Sequence, residues 1–272
     1  MTLPVTHSAR AAQLWTADPP GGMAAGEGTR PVPEEVAVAL TYSRETHAVM
    51  MATPLDLEDF GHGFSLTEGI IATPDDLLDL EIIPRPQGIE IRIDLLEERQ
   101  EALRKRRRQM AGPVGCGLCG LDSLEAVMRP VPRVEAATTL RAGAVIEALE
   151  ALSANQALHH ATHAVHAAAF WDVESGLACL REDVGRHNAL DKVVGAMLRE
   201  GRPAARGAVV LTSRVSVEMV QKTAILGAPI LIAVSAPTGL AVRSAEEAGM
   251  TLVARARRGH FDVYSHPWRI LA

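Results

Sequence analysis

The sequence predicts an α/β fold, and three observations predict it. From about residue 134 onward, short apolar strands alternate with amphipathic helices, the pattern of βαβ units around a parallel sheet. Before that point, strand and helix candidates are mixed in a smaller α+β unit. Nearly half of the residues are apolar and few are aromatic, so 272 residues suffice for two domains with cores of alanine and small aliphatics.

Residues 1–33 are rich in Ala, Gly, Pro and Thr without periodicity, which predicts a flexible tail. Order is expected from Glu34, with a strand at "EVAVALTYS" followed by "THAVMMAT". In "TPLDLEDFGHGFSLTEGII", Thr53 can N-cap a helix, Pro54 suits its first position and Asp56 falls in its first turn. "GIEIRIDL" alternates, with Ile89, Ile91 and Ile93 on one face. "DLLEERQEALRKRRRQ" reads as a helix with acids first and bases last, which suits the helix dipole at both ends. It delivers Arg104 to Arg108 to a glycine-rich loop with two cysteines, which closes the N-terminal unit, residues 34–133. The plain alternative for these charges is a solvated helix end.

The second unit, residues 134–272, follows a proline-rich boundary, "RPVPRVEAAT". A helix is expected around "TLRAGAVIEALEALSANQ", then strands at "HAVHAAAFWD" and "GLACLRE". "NALDKVVGAMLREG" predicts a helix with Asn188 as N-cap, Asp191 in the first turn and Gly201 after its end. Strands at "GAVVLTS", "APILIAVS" and "MTLVARA" then alternate with helices at "SVEMVQKTAILG" and "TGLAVRSAEEAG". Ligands of such sheets bind beyond the carboxyl ends of the strands. Those ends carry Ser213 and Arg214, then Ser235 to Thr238, then Arg255, Arg257 and Arg258. Helix N-termini follow two of them and offer free N–H groups to anions, so a diphosphate cradle is expected there. Caps and turns are the alternative for the serines and Thr238.

A formal net charge of −6 argues against wholesale binding to nucleic acid or to an anionic membrane. The N-terminus lacks the basic start and apolar run of a secretory signal. The longest apolar region, from Ala228, is short and broken by Pro237 and Gly239. These features predict a cytoplasmic protein, whose cysteines stay reduced unless they turn over.

Two of the three cysteines, Cys116 and Cys119, stand in "AGPVGCGLCG". A metal reading pairs them with two of His159, His160, His163 and His166 in "HHATHAVH". A zinc-deaminase reading lacks the full motif. A thioredoxin-like redox reading expects the pair at a helix start after a strand. A sulfur-transfer reading needs a mobile thiol with a lowered pKa; glycine supplies the mobility and the adjacent basic cluster favours thiolate. The spacing alone leaves these readings open, as it does a scaffold or chaperone that delivers cofactor without chemistry. "REDVGRHNALDKVVG" forms a second constellation, with Glu182, Asp183, Arg186, His187, Asp191 and Lys192 around a strand-to-helix turn. Caps account for Asn188 and Asp191, but not for Arg186 and His187 together, nor for one of only three lysines. His187 is a candidate to orient a ligand or shuttle a proton. Cys179, inside a strand, reads as a small buried apolar residue.

Taken together, "TPLDLEDFGHGFSLTEGII", "GCGLCG", "EDVGRHNALDKVVG", "SRVSVEMVQK", "VSAPTGLAV" and "VYSHPWRI" occur in an order that resembles the formate dehydrogenase accessory sulfurtransferases, the FdhD family. The resemblance runs from about Glu34 to Ile270. It implies a sulfur carrier that takes sulfur from a cysteine desulfurase and passes it to the bis-molybdopterin guanine dinucleotide molybdenum cofactor, before that cofactor enters formate dehydrogenase. It implies that Cys116 carries the persulfide and Cys119 assists. The family's cofactor-binding segment corresponds to Arg255, Ala256, Arg257, Arg258, Gly259 and His260, with Ser235 and Thr238 expected near the diphosphate. The implied fold is a cytidine-deaminase-like three-layer domain behind a smaller α+β domain, in a homodimer, with no tightly bound metal of its own. The chain departs from the family pattern at Ser213–Arg214, where many relatives read Ser-Gly-Arg, and at His163, where a small residue is expected.

Overall fold

Residues 3–18, 22–110, 131–257 and 259–272 are described by a computed structural model. Where composition predicts a flexible tail, the chain instead forms an antiparallel hairpin of β1 (His7–Asp18) and β2 (Gly22–Pro33), paired from His7–Pro33 to Asp18–Gly22. The ladder is made by the backbone, so it leaves no periodic burial in the sequence. Pro31 and Pro33 are tolerated in β2 because a strand with one ladder partner has positions whose N–H is not needed for pairing.

A four-stranded sheet follows, built from β3 (Val36–Tyr42), β4 (Glu45–Ala52), β5 (Leu77–Arg85) and β6 (Gly88–Leu95) in the order β4-β3-β6-β5. The central pair is parallel and both flanks are antiparallel. Ile89, Ile91 and Ile93 are buried on one face, as their alternation predicts. Helix α1 (Leu57–Thr67) buries Phe60 and Phe64. Its N-cap is Asp56 at φ 52°, not Thr53, which is occupied by the tertiary bonds described below. Helix α2 (Glu97–Met110) is acidic in its first turn and basic toward its end.

After the cysteine-bearing segment come β7 (Leu140–Arg141), α3 (Ala142–Ala154) and α4 (Ala157–Thr162). The main sheet comprises β8 (His166–Asp172), β9 (Gly176–Asp183), β10 (Gly207–Leu211), β11 (Ile230–Ala233), β12 (Thr251–Arg257) and β13 (His260–Ser265). Its order is β13-β12-β11-β10-β8-β9, and only β10, β11 and β12 are parallel. The expected βαβ units are therefore its centre, with antiparallel strands on both sides. The connecting helices are α5 (Arg186–Arg199), α6 (Val217–Leu226) and α7 (Gly239–Glu247), and a short β14 (Ile270–Leu271) pairs with β7.

Alternation splits the sheet's apolar residues between two cores. Ala167, Ala169, Val210, Ile230 and Ile232 pack with α3. Ala168, Phe170, Val209, Leu211 and Leu231 pack with α5, α6 and α7, and this core continues through α1 into the four-stranded sheet. The two halves of the chain thus share one apolar interior. Burial of this kind contributes about 25 cal/mol per Å² of apolar surface removed from water.

Candidate functional site

Strand directions gather the chemistry-bearing residues on one edge of the main sheet. β9 runs antiparallel to β8, and β8 to β10, so Asp183 lies opposite His166 and Leu211 opposite Ala168. The end of β9, the start of β8 and the ends of β10, β11 and β12 therefore share an edge. His166, Arg186, His187, Ser213, Arg214, Ser235, Thr238, Arg255 and Arg257 come together there from separate stretches of sequence. Cys116, Cys119 and Arg258 lie outside the described residues.

The second constellation is held from inside the protein. Asp183 is fully buried and accepts four hydrogen bonds: from the Thr53 N–H at 3.0 Å, the Gly185 N–H at 2.7 Å, Asn188 Nδ2 at 2.9 Å and Lys192 Nζ at 2.6 Å. Lys192 also donates to the Thr53 carbonyl at 3.0 Å, and the Val184 N–H donates to Thr53 Oγ1 at 3.1 Å. Asn188 Nδ2 reaches the Met51 carbonyl at 2.9 Å. The end of β4 and the turn after β9 are thereby locked together. This corrects the expectation for Asn188 and Asp191. The N-cap of α5 is Gly185, Asn188 is a buried tie between the two halves, and Asp191 is paired with Lys222 at 2.7 Å. Glu182 faces the other way and accepts from the N–H groups of Leu158 and His159 at 2.8 Å each, at the start of α4. Sequence reasoning passed over Thr53, Thr67 and Lys222 as site-builders. The available signal was that lysine occurs only three times in a chain that otherwise uses arginine.

That lock leaves Arg186 and His187 to the edge of the sheet where a ligand is expected. Arg186 Nε is buried without a hydrogen-bond partner, a donor suited to an anionic acceptor. Burial, then Lys222 and Arg186, push the His187 imidazole down to about 4. His166 is lowered in the same direction, by burial and then by Arg186. Both rings are therefore neutral at pH 7 in a surrounding that already carries positive charge.

The loops after β10 and β11 brace each other: the Val215 N–H donates to the Ala236 carbonyl at 3.2 Å, and the Thr238 N–H to the Val215 carbonyl at 3.0 Å. Thr238 is the N-cap of α7, its Oγ1 accepting from the Ala241 N–H at 3.2 Å. The Ser235 carbonyl takes the Arg255 N–H at 3.0 Å. Arg255 sits at φ 52°, inside an irregularity of the β12–β13 pairing that turns it out of the sheet. Its guanidinium lies 3.5 Å from Asp262, which also meets His260 Nε2 at 3.1 Å. Gly259, at φ 77°, serves the turn between the two strands. Ala256 departs from the expected role as a pocket wall: it is buried in the core against α3.

His159 and His163 stack edge to face at 5.4 Å, and among the described residues no group of three His, Cys, Asp or Glu side chains is arranged to hold a metal. His163 caps α4 at φ 52°, a backbone state in which glycine is most at ease, so the departure from the family pattern falls where glycine would relieve strain. Cys179 is buried, and burial pushes its thiol up to about 11, which fits the apolar reading. No helix among the described residues is long and apolar enough to cross a membrane.

Residues 33–271 match the FdhD/NarQ family. The chain is 50% identical over 245 residues to "Sulfur carrier protein FdhD" of Agrobacterium fabrum, covering 90% of each chain. It is 52% identical over 246 residues to the protein of the same name from Brucella abortus, covering 90% of this chain and 91% of that one. A crystal structure assigned as a formate dehydrogenase accessory protein, from Desulfotalea psychrophila, superposes with a TM-score of 0.74 at 27% identity, over 97% of this chain and 99% of that one. With a match across almost its whole length and relatives at half identity, this chain belongs to the FdhD/NarQ family.

Proposed function

We propose that this protein is a sulfur carrier in the maturation of formate dehydrogenase. Cys116 accepts sulfur as a persulfide from a cysteine desulfurase. The protein then passes that sulfur to the bis-molybdopterin guanine dinucleotide molybdenum cofactor. In the first step the Cys116 thiolate attacks the terminal sulfur of the donor's persulfide. A sulfur–sulfur bond to Cys116 forms as the donor's breaks, and the donor leaves as a thiolate. Cys119 assists, and the reading calls for no metal of the protein's own. The observation that carries it is an exclusion among thiols. The chain has three cysteines, and burial holds Cys179 protonated at neutral pH, so nucleophilic sulfur falls to the pair in "GCGLCG".

The acceptor's nucleotide end fits the ligand edge. Arg255 and Arg257 are exposed there, and the orphaned Arg186 Nε supplies a further donor. Arginine's planar fork matches phosphate oxygens, and the turn after β11 leads into the N-terminus of α7. The relatives named as sulfur carriers support the same role. We further read the second half as a cytidine-deaminase-like three-layer domain, and the working protein as a cytoplasmic homodimer.

Mass spectrometry after incubation with a desulfurase and cysteine tests the proposal. A gain of one sulfur atom on the peptide containing Cys116 is expected, and its loss in Cys116→Ala together with loss of formate dehydrogenase activation. Full activation by Cys116→Ala would remove the carrier role from this residue.

A further inference from the structure

Lys222 takes no part in the sulfur chemistry above, yet it is the meeting point of three helices. Its ammonium donates to both carboxylate oxygens of Asp191 at 2.7 Å. Thr67 Oγ1 accepts from it at 3.0 Å and donates to Asp191 at 2.7 Å. Glu68 Oε1 stands 3.9 Å away, and the Phe64 ring centroid 5.9 Å. Phe64, Thr67 and Glu68 belong to the end of α1, Asp191 to α5 and Lys222 to α6. A fourth helix joins through Glu68, whose carbonyl accepts from Arg106 of α2 at 2.9 Å. Arg106 lies near the end of α2, and the chain runs on from Met110 into the segment that holds Cys116 and Cys119.

A buried ion pair adds little stability, because desolvation offsets most of the attraction. Its strength is geometric: an ammonium bonded to two carboxylate oxygens and a hydroxyl tolerates little displacement of any partner. Here the partners come from opposite halves of the chain. One side is α5, whose first turn presents Arg186 and His187 to the ligand edge. The other is the end of α1, onto which the basic end of α2 is docked.

We propose that Lys222 is a positioning residue for sulfur transfer: with Asp191, Thr67 and Glu68 it sets the end of α2 at a fixed place relative to the ligand edge. The proposal rests on the sulfur-carrier reading. Small misplacements of reacting groups reduce rates steeply, so a tie of this kind belongs where a thiol must meet a ligand held on another element.

Two variants test it. Lys222→Met removes the centre of the tie. Arg106→Gln removes the bond to the Glu68 carbonyl at the half-buried end of the tie and leaves the buried pair in place. In both, formate dehydrogenase activation per folded molecule is expected to fall on the order of 10- to 100-fold. Sulfur loading of Cys116 by a desulfurase should stay within roughly twofold of wild type in Lys222→Met; Arg106 also belongs to the basic cluster that favours the thiolate, so activation in Arg106→Gln and in the double variant is compared per loaded molecule. The double variant should be no worse than Lys222→Met, because both act through one connection. Undiminished activation by Arg106→Gln, or equal loss of loading and activation in both variants, overturns the positioning role. Hydrogen exchange reads the docking without sulfur chemistry. Amides of residues 104–110 should exchange roughly fivefold faster or more in Lys222→Met, and unchanged rates there overturn the proposal. Absence of loading in the wild-type protein would instead count against the sulfur-carrier reading, with the exchange experiment still deciding the tie.

Discussion

Gly63 of α1 and Gly195 of α5 face each other where the two halves of the chain cross. A Cβ on Gly63 would lie 1.7 Å from the Asp191 carbonyl oxygen and 2.8 Å from the Gly195 nitrogen; one on Gly195 would lie 1.8 Å from the Asp59 carbonyl oxygen. The helices pack backbone to backbone, and this approach lets Thr67 and Lys222 both reach Asp191.

Alanine at either glycine must therefore push the helices apart. Gly63→Ala and Gly195→Ala are each expected to destabilise the protein by about 1–3 kcal/mol or more, the usual effect of overpacking. Thermal unfolding measures it. Melting temperatures equal to wild type would mean that the crossing has slack.

Lys192→Met is expected to be worse than its size suggests. It leaves the Asp183 carboxylate buried without its cation, at a loss of about 3–5 kcal/mol. Asp183→Asn/Lys192→Met should recover part of this in urea unfolding, since no charge is then stranded. A double variant less stable than the Lys192 single would contradict the account.

Acid should weaken the fold through His187. The ring sits at about 4 in the folded protein, against 6.5 as its ordinary value, with Lys222 and Arg186 facing it and Glu218 and Glu68 opposing them. The unfolded chain therefore binds the extra proton. Stability tied to this group is whole above pH 6.5 and is lost as the pH falls toward 4. The loss should reach about 2 kcal/mol once screening of a half-buried ring is allowed for. His187→Gln should flatten this part of the stability–pH curve; an unchanged slope would assign it to other groups, His166 first.

Thiol chemistry should separate the cysteines. With its thiol near 11, Cys179 is ionised in only about one molecule in a thousand at pH 8. Brief iodoacetamide treatment of the native protein, read by peptide mass, should label Cys116 and Cys119 and spare Cys179. Cys179→Ala should support full formate dehydrogenase activation. Labelling of Cys179 as fast as the pair would refute its burial.

A guanine nucleotide such as GDP should bind at the ligand edge. Calorimetric titration is expected to show loss of binding in an Arg255/Arg257/Arg258→Ala variant. Salt should weaken the wild-type affinity, because exposed charges are screened over about 10 Å at 0.1 M ionic strength. Equal affinity in both proteins would move the pocket elsewhere.

Properties that depend on neighbours along the chain were determined by the sequence alone. The alternation of Ile89, Ile91 and Ile93 specified a one-sided strand, and the pattern after Thr238 specified helix α7, with the cap one of two readings for Thr238 itself. The run of strands after residue 134 specified the parallel centre of the main sheet, and with it the edge to which Ser235 and Arg255 belong. Only the tertiary structure decided what depends on distant partners. Thr53 looked like a helix cap because its local pattern is that of one; a carboxylate 130 residues away claims its N–H instead. Asn188 looked like an N-cap and Asp191 like a first-turn residue, yet Met51 and Lys222 satisfy them from other elements. The hairpin before Glu34 escaped notice because a two-stranded ladder is held by backbone hydrogen bonds, which no side-chain period announces. A local signal names what a residue can bond, but a buried polar group takes the partner that folding brings to it, since leaving it unpaired costs about 1–3 kcal/mol.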